Sequence, residues 1–177
     1  MIASRLGRVV AGKPVSVPNY NDAIIDEFRA HDGVVGGPFE GLSMLLLTTV
    51  GRRSGQPRTT PLVYSTTDDD GMIVVASNGG ADTDPLWFRN LQANAHATVE
   101  AGSHCFTVRA TIVDGEDRTR LFGHHADLMP GFRDYVAQTD RQLPVVVLHR
   151  ALPPGVGEPD ETMEPAEAEP VESPDPA

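Results

Sequence analysis

Residues 46–62, LLTTVGRRSGQPRTTPL, place two apolar, β-branched runs around a loop with two glycines, three arginines, a serine and a glutamine. Runs of this kind on either side of a glycine-bearing loop read as a β-hairpin. Gly51 and Gly55 let the backbone turn tightly and come close to a ligand. Arg52, Arg53 and Arg58 offer planar donor forks suited to phosphate or carboxylate. Ser54 and its backbone N–H add donors in a nest-like concavity. The hairpin thus reads as an anion clamp for a phosphorylated or polyacidic cofactor; the plainer alternative is an exposed turn with solvated arginines. It is not a P-loop, because the second glycine follows too soon and no Lys comes after it.

Working outward, six strands are expected: Ser43–Val50, Thr59–Thr66, Met72–Ala76, Ala97–Ala101, His104–Val113 and Val145–His149. Asp68-Asp69-Asp70-Gly71 and Gly102-Ser103 supply tight turns between neighbours. Helices are expected from Asn19 or Asn21 through Ile24, Ile25 and Phe28, and from Pro85 to Ala93 with Asp82–Asp84 as its start. Two more are expected over 116–126 and 131–139. Hairpins dominate and no βαβ rhythm appears, which disfavours a Rossmann sheet. The expected class is mainly β (α+β), a six-stranded, mostly antiparallel barrel with peripheral helices.

Charge is uneven along the chain. Residues 1–152 carry all 14 basic and 17 of the acidic residues, a net charge of −3, whereas residues 153–177 carry eight acids and no base. A Pro/Glu-rich tail of that kind buries too little apolar surface to offset its ordering entropy and reads as disordered. The domain proper is therefore residues 19–152, preceded by residues 1–18. Within that segment Ile2, Leu6, Val9 and Val10 form an apolar strip beside Arg5 and Arg8, suited either to peripheral membrane contact through residues 1–17 or to packing on the domain. No broad basic face exists, which argues against nucleic-acid binding. The lone Cys105 precludes an internal disulfide, suits a cytoplasmic location and, within an alternating run, is expected to be a small buried hydrophobe. No histidine, cysteine or carboxylate spacing matches a metal site.

Other segments carry chemistry more weakly. Ser77-Asn78-Gly79-Gly80 follows an apolar strand and leads toward the helix after Pro85, a setting for a flat polar ring or an anion, or merely a connection. Trp87 in that helix reads as core. Tyr135, on the late helix, could face a substrate pocket or simply pack with its hydroxyl in water.

Taken together, GRRSGQPRTTPL, SNGG…PLWFRNL and FRDYVAQTDRQLPVVVL resemble the deazaflavin-dependent nitroreductase family, from about Asn19 to Arg150. The resemblance implies a split β-barrel of the flavin-reductase kind that binds the deazaflavin coenzyme F-420. It implies that Arg52, Arg53, Ser54, Gln56 and Arg58 hold the phosphate and polyglutamate side, and that Ser77, Asn78 and Gly79 border the ring with Pro61 and Leu62 nearby. Trp87, Asn90 and Leu91 match the family's helix motif. Tyr135 matches a late-helix tyrosine used beside substrate. The implied activity is hydride transfer from reduced deazaflavin to a small-molecule acceptor such as a quinone, nitroaromatic or enone, with Tyr135 or Ser77 orienting the acceptor or supplying a proton. Two rivals are an FMN-dependent reductase on the same barrel and a deazaflavin carrier without turnover. A monomer and a homodimer are equally compatible. The chain departs from the family's usual residues at Arg53 (often Lys), Phe88 and Arg89 (often Tyr and His) and Ala95 (often Pro).

Overall fold

Strand β1 (Met44–Val50) pairs along its length with β2 (Pro57–Val63), from Met44 opposite Val63 to Val50 opposite Pro57. The arginine–glycine loop is therefore the turn of an antiparallel hairpin. The computed structural model describes residues 20–151; the readings of residues 1–18 and 153–177 lie outside them. Five further strands, β3 (Ser65–Thr66), β4 (Met72–Val75), β5 (His96–Ala101), β6 (His104–Val113) and β7 (Val145–Arg150), complete one antiparallel sheet in the order β2-β1-β5-β6-β7-β4-β3.

The two end strands of this sheet are consecutive in the chain. Residues 57–66 run as β2 along one edge, break at Tyr64, and resume as β3 along the other, so the sheet curls into a split barrel. The Tyr64 N–H donates to the Ser43 carbonyl (3.0 Å), just before β1 begins; beyond it Ser65 and Thr66 pair with Ile73 and Met72 of β4. One expected strand thus becomes two, and six strands become seven. Pro57 and Pro61, which have no N–H to give, are tolerated in β2 because it has a neighbour on one side only.

Burial explains the unbroken apolar runs. Leu45 and Leu47 of β1 point into the barrel with Val74, Val99, Val108, Val146 and Leu148. Met44 and Leu46 point outward beneath Ile24, Ile25 and Phe28 of helix α1 (Tyr20–Ala30). Likewise Val145 and Val147 face outward with Ile73 and Val75 to meet helix α3 (Gly115–Leu128) and helix α4 (Gly131–Ala137). A strand covered on both faces needs apolar residues at every position. Full burial of each such side chain is worth roughly 1.5–3 kcal/mol.

Helix α2 (Leu86–Ala93) sends Trp87, Phe88 and Leu91 into the barrel interior. Its start differs from expectation: Pro85 takes the N-cap position without a side-chain bond, and the Asp84 carboxylate turns instead to Arg141. Helix α1 is tied to β5 by a two-pronged Arg29–Glu100 pair (2.9 and 2.6 Å), which holds the Glu100 carboxyl below its usual range. Beyond α1, Gly33 has φ +94°, and a Cβ there would stand 2.7 Å from the Gly102 Cα, so only glycine fits. Cys105 is exposed, contrary to expectation: on β6 the inward positions are Phe106, Val108 and Ala110, and residue 105 has the other parity. Among the described residues no helix is long and apolar enough to cross a membrane, and no group of His, Cys, Asp and Glu is disposed to hold a metal ion.

Candidate active site

The hairpin turn is closed by its own backbone. The Gly51 N–H reaches the Gln56 carbonyl (2.8 Å) and the Gly55 N–H reaches the Gly51 carbonyl (2.7 Å), while Gly55 sits at φ +67°. A Cβ on Gly51 would come within 2.7 Å of the Ser54 Oγ and 3.1 Å of the Gln56 carbonyl. The turn is also anchored from outside: Asn90 of α2, itself buried, accepts from the Arg52 N–H through Oδ1 (3.1 Å) and donates from Nδ2 to the buried Thr49 hydroxyl (3.0 Å). A cavity of about 440 Å³ opens between this turn and α2. Arg52, Arg53, Ser54 and Arg58 line it from the hairpin; Trp87, Arg89 and Asn90 line it from the helix. No carboxylate among the described residues pairs with Arg52, Arg53, Arg58 or Arg89. Uncompensated guanidinium groups facing one cavity form a strong site for a polyanion.

The second turn is built differently. Asn78, Gly79 and Gly80 all have positive φ (50°, 63° and 82°), the region that Asn and Gly enter at least cost. One side chain far along the chain pins it. The Arg141 guanidinium donates to the carbonyls of Ala76 (3.2 Å), Ser77 (3.0 Å) and Ala81 (3.1 Å), and its charge is met by Asp84 (2.6 Å). Thr139 adds a bond to Asp82 (2.8 Å). The Ser77 N–H is already spent on the Val75 carbonyl (2.9 Å), whereas its hydroxyl has no partner among the described residues.

Between the two turns lies the split of the barrel. A cavity of about 670 Å³ has Pro61, Leu62 and Val63 of β2 on one side and Val75 and Ser77 on the other. Met129, Phe132 and Tyr135 form its helical wall, with Phe39 and Met44 opposite. Tyr135 is half-buried and lies edge-to-face on Phe132 (5.4 Å), and its hydroxyl has no partner among the described residues. Behind Phe132 sits His125, fully buried and edge-to-face with that ring at 4.5 Å. Its Nδ1 shares a hydrogen bond with the Ser65 hydroxyl (2.9 Å), while Nε2 has no partner among the described residues. Burial, aided by neighbouring His124, pushes its pKa down to about 4, so the ring is neutral at pH 7.

Strand β2 joins the two cavities, with Arg58, Thr59 and Thr60 lining the charged one and Pro61, Leu62 and Val63 the apolar one. At about 3.3 Å per residue the strand spans roughly 17 Å from Arg58 to Val63. The expected site residues therefore fall into two groups. Arg52, Arg53, Ser54, Arg58, Trp87 and Asn90 share the first cavity, and Pro61, Leu62, Ser77 and Tyr135 share the second. Gln56, Asn78 and Gly79 line neither; Asn78 turns its amide to the Thr83 carbonyl (2.9 Å). Trp87 is at once core and cavity wall. Arg141 was not expected at the site, and Arg89, expected only as a departure from the family's usual residue, joins the first cavity.

A family model described as F-420H(2)-dependent quinone reductase matches residues 23–150. The chain belongs to this family. An F-420H(2)-dependent quinone reductase of Mycobacterium tuberculosis is 36% identical over 140 residues, which is 77% of this chain and 91% of that protein. Among solved structures, an F-420-dependent reductase is 30% identical with a TM-score of 0.55, covering 60% of this chain and 94% of the other. Another, described as a domain-swapped dimer, is 29% identical with a TM-score of 0.57, covering 71% and 91%. As a member of the quinone reductase family the chain is an oxidoreductase that passes hydride from reduced coenzyme F-420 to a quinone-type acceptor. This decides against FMN and against a carrier without turnover. The donor set agrees: unpaired arginines at one end of β2 suit an acidic tail, and an apolar slot at the other suits a flat ring.

Proposed function

We propose that the two cavities divide the work of quinone reduction, the hairpin side holding the cofactor's acidic tail and the barrel split holding its ring beside the acceptor. The observation that carries this reading is the single strand β2, which lines both cavities. Arg52, Arg53 and Arg58 neutralise phosphate and carboxylate oxygens, and Asn90 keeps the turn in its binding shape by holding the Arg52 amide. Reduced coenzyme F-420, when bound, supplies the hydride, so the protein's share is binding, orientation and exclusion of water.

Pro61, Leu62, Phe39, Met44 and Phe132 form walls against which water is displaced. Ser77 and Tyr135 are the hydroxyl-bearing residues expected from sequence that face this cavity. Each hydroxyl, with no partner among the described residues, can donate to an acceptor oxygen as negative charge develops on it, and the phenol of Tyr135 is the more acidic of the two and so the better proton donor. Arg141 takes no part in the chemistry; it holds the Ser77 carbonyl, and thereby the residue, in position.

Parallel fluorescence titrations with coenzyme F-420 and FMN, followed by menadione added to protein loaded with reduced F-420, test the assignment. The expected result is tight deazaflavin binding that Arg58→Ala weakens, and reoxidation by menadione that Tyr135→Phe slows. Unchanged binding in Arg58→Ala with an intact fold would return the hairpin to an ordinary surface turn.

A further inference from the structure

Helix α4 carries Tyr135 to the apolar cavity, yet little in the helix itself holds it there. It is seven residues long, none of its side chains is fully buried, and its N-cap makes no side-chain bond. So short a helix takes its orientation from what packs against it. Arg133 tethers it to α3 by donating to the Ala126 carbonyl (2.9 Å). Its packed face is Phe132 and Tyr135, three residues apart, with their rings edge-to-face. Phe132 meets in turn the buried ring of His125, 4.5 Å away at an interplanar angle of 83°. That imidazole is neutral at pH 7, so one of its nitrogens donates and the other accepts. With the proton on Nδ1, Ser65 would accept it and Nε2 would remain a buried acceptor without a donor among the described residues. With the proton on Nε2, the Ser65 hydroxyl donates to Nδ1, and the Nε2–H can address the π-face of Phe132. The second arrangement satisfies both nitrogens.

We propose that Ser65 and His125 are a pair of positioning residues for quinone reduction: the Ser65 hydroxyl holds His125 in its Nε2–H form, that N–H seats Phe132, and Phe132 sets Tyr135 against the acceptor. This rests on the reading of Tyr135 as proton donor. Neither Ser65 nor His125 lines the apolar cavity, so both act through the two aromatic rings that do. The break at Tyr64 is what delivers Ser65: just beyond it the chain re-enters the sheet, with Ser65 opposite Ile73 and its hydroxyl under α3. Ser65 also borders a separate cavity of about 280 Å³, which leaves room for one added methyl group.

The test uses the full-length protein in two ways. Nitrogen-15 NMR of the histidine-labelled wild type, with the His125 signals assigned from their loss in His125→Gln, should show Nε2 protonated and Nδ1 bare; the opposite tautomer would overturn the pair. This readout needs neither cofactor nor turnover, so it decides even if a Ser65 variant fails to fold. A double-mutant cycle with reduced F-420 and menadione then asks whether the pair works through Tyr135. Ser65→Ala should lower kcat by up to about tenfold, the loss expected of Tyr135→Phe, with the cofactor Kd unchanged. Ser65→Thr, which keeps the hydroxyl, should restore turnover. In a Tyr135→Phe background Ser65→Ala should cost nothing further. Independent, multiplying losses would overturn the positioning role while leaving Tyr135 its own. A wild-type kcat in Tyr135→Phe alone would bring down the proton-donor reading and this inference together.

Discussion

The two ends of strand β2 meet opposite demands. At Arg58 the chain carries charge into a cavity whose walls come mostly from one hairpin and one short helix. At Leu62 it enters a mainly apolar cleft assembled from β2, the end of β4, the segment near Phe39, and the α3–α4 corner. The charged end is held by backbone bonds within the turn and by one buried asparagine. The apolar end depends on side chains brought from far along the chain, with Arg141 and His125 behind its walls. Local construction makes the first robust and easily read; distant construction makes the second sensitive to anything that loosens the fold.

Acid should separate the two ends most strongly. In the folded protein the pKa of His125 lies near 4, below the ordinary value of 6.5, so the unfolded chain binds the extra proton first as pH falls. The stability held by the neutral ring is complete above about pH 6.5 and is lost between there and about pH 4, by at most about 3 kcal/mol. Urea titrations at pH 7 and pH 5 should show the loss, and His125→Gln should flatten it. An unchanged pH profile in that variant would exonerate the histidine.

Next in size, Arg53→Ala or Arg58→Ala should each weaken deazaflavin binding by about 1.5–3 kcal/mol while leaving the menadione KM alone. A shift in both constants would blur the division between the cavities. Arg141→Gln should act in reverse: the Ser77 turn loosens at a cost of about 2 kcal/mol in stability, and kcat falls more than tail affinity does. Thermal melts and steady-state rates read the two effects separately. Smallest of all, Tyr135→Phe should lower kcat by about tenfold with the cofactor Kd unchanged. A kcat equal to wild type would move the proton-donating role to Ser77 or to solvent.

The same contrast governs what could be read from sequence. The hairpin was legible because its strands, glycines and arginines lie within residues 44–63, and residue types alone place them together. The sheet was legible for a similar reason: continuous apolar runs such as Val145–Leu148 announce strands covered on both faces. What escaped is long-range pairing. Asp84 carries the signature of a helix cap, yet its partner is Arg141, which nothing in a local pattern connects to it. His125 stands beside His124 on α3, and only its packing against Phe132 and Ser65 shows which of the two is buried. Cys105 was misread for a smaller reason, because alternation on β6 is clear and its phase is not. Arg89 was visible as a departure from the family's usual residue, but its place in the charged cavity required the fold.

The break at Tyr64 has a consequence for the company the protein keeps. Opening a cleft in a barrel leaves a strand flank without a neighbour, and such a flank ordinarily recruits another chain. Here the flank belongs to β2, where prolines at 57 and 61 withhold two amide donors. The cleft can stay open to small molecules while offering a poor template for intermolecular β-pairing, so its two prolines guard against aggregation as well as shape a pocket.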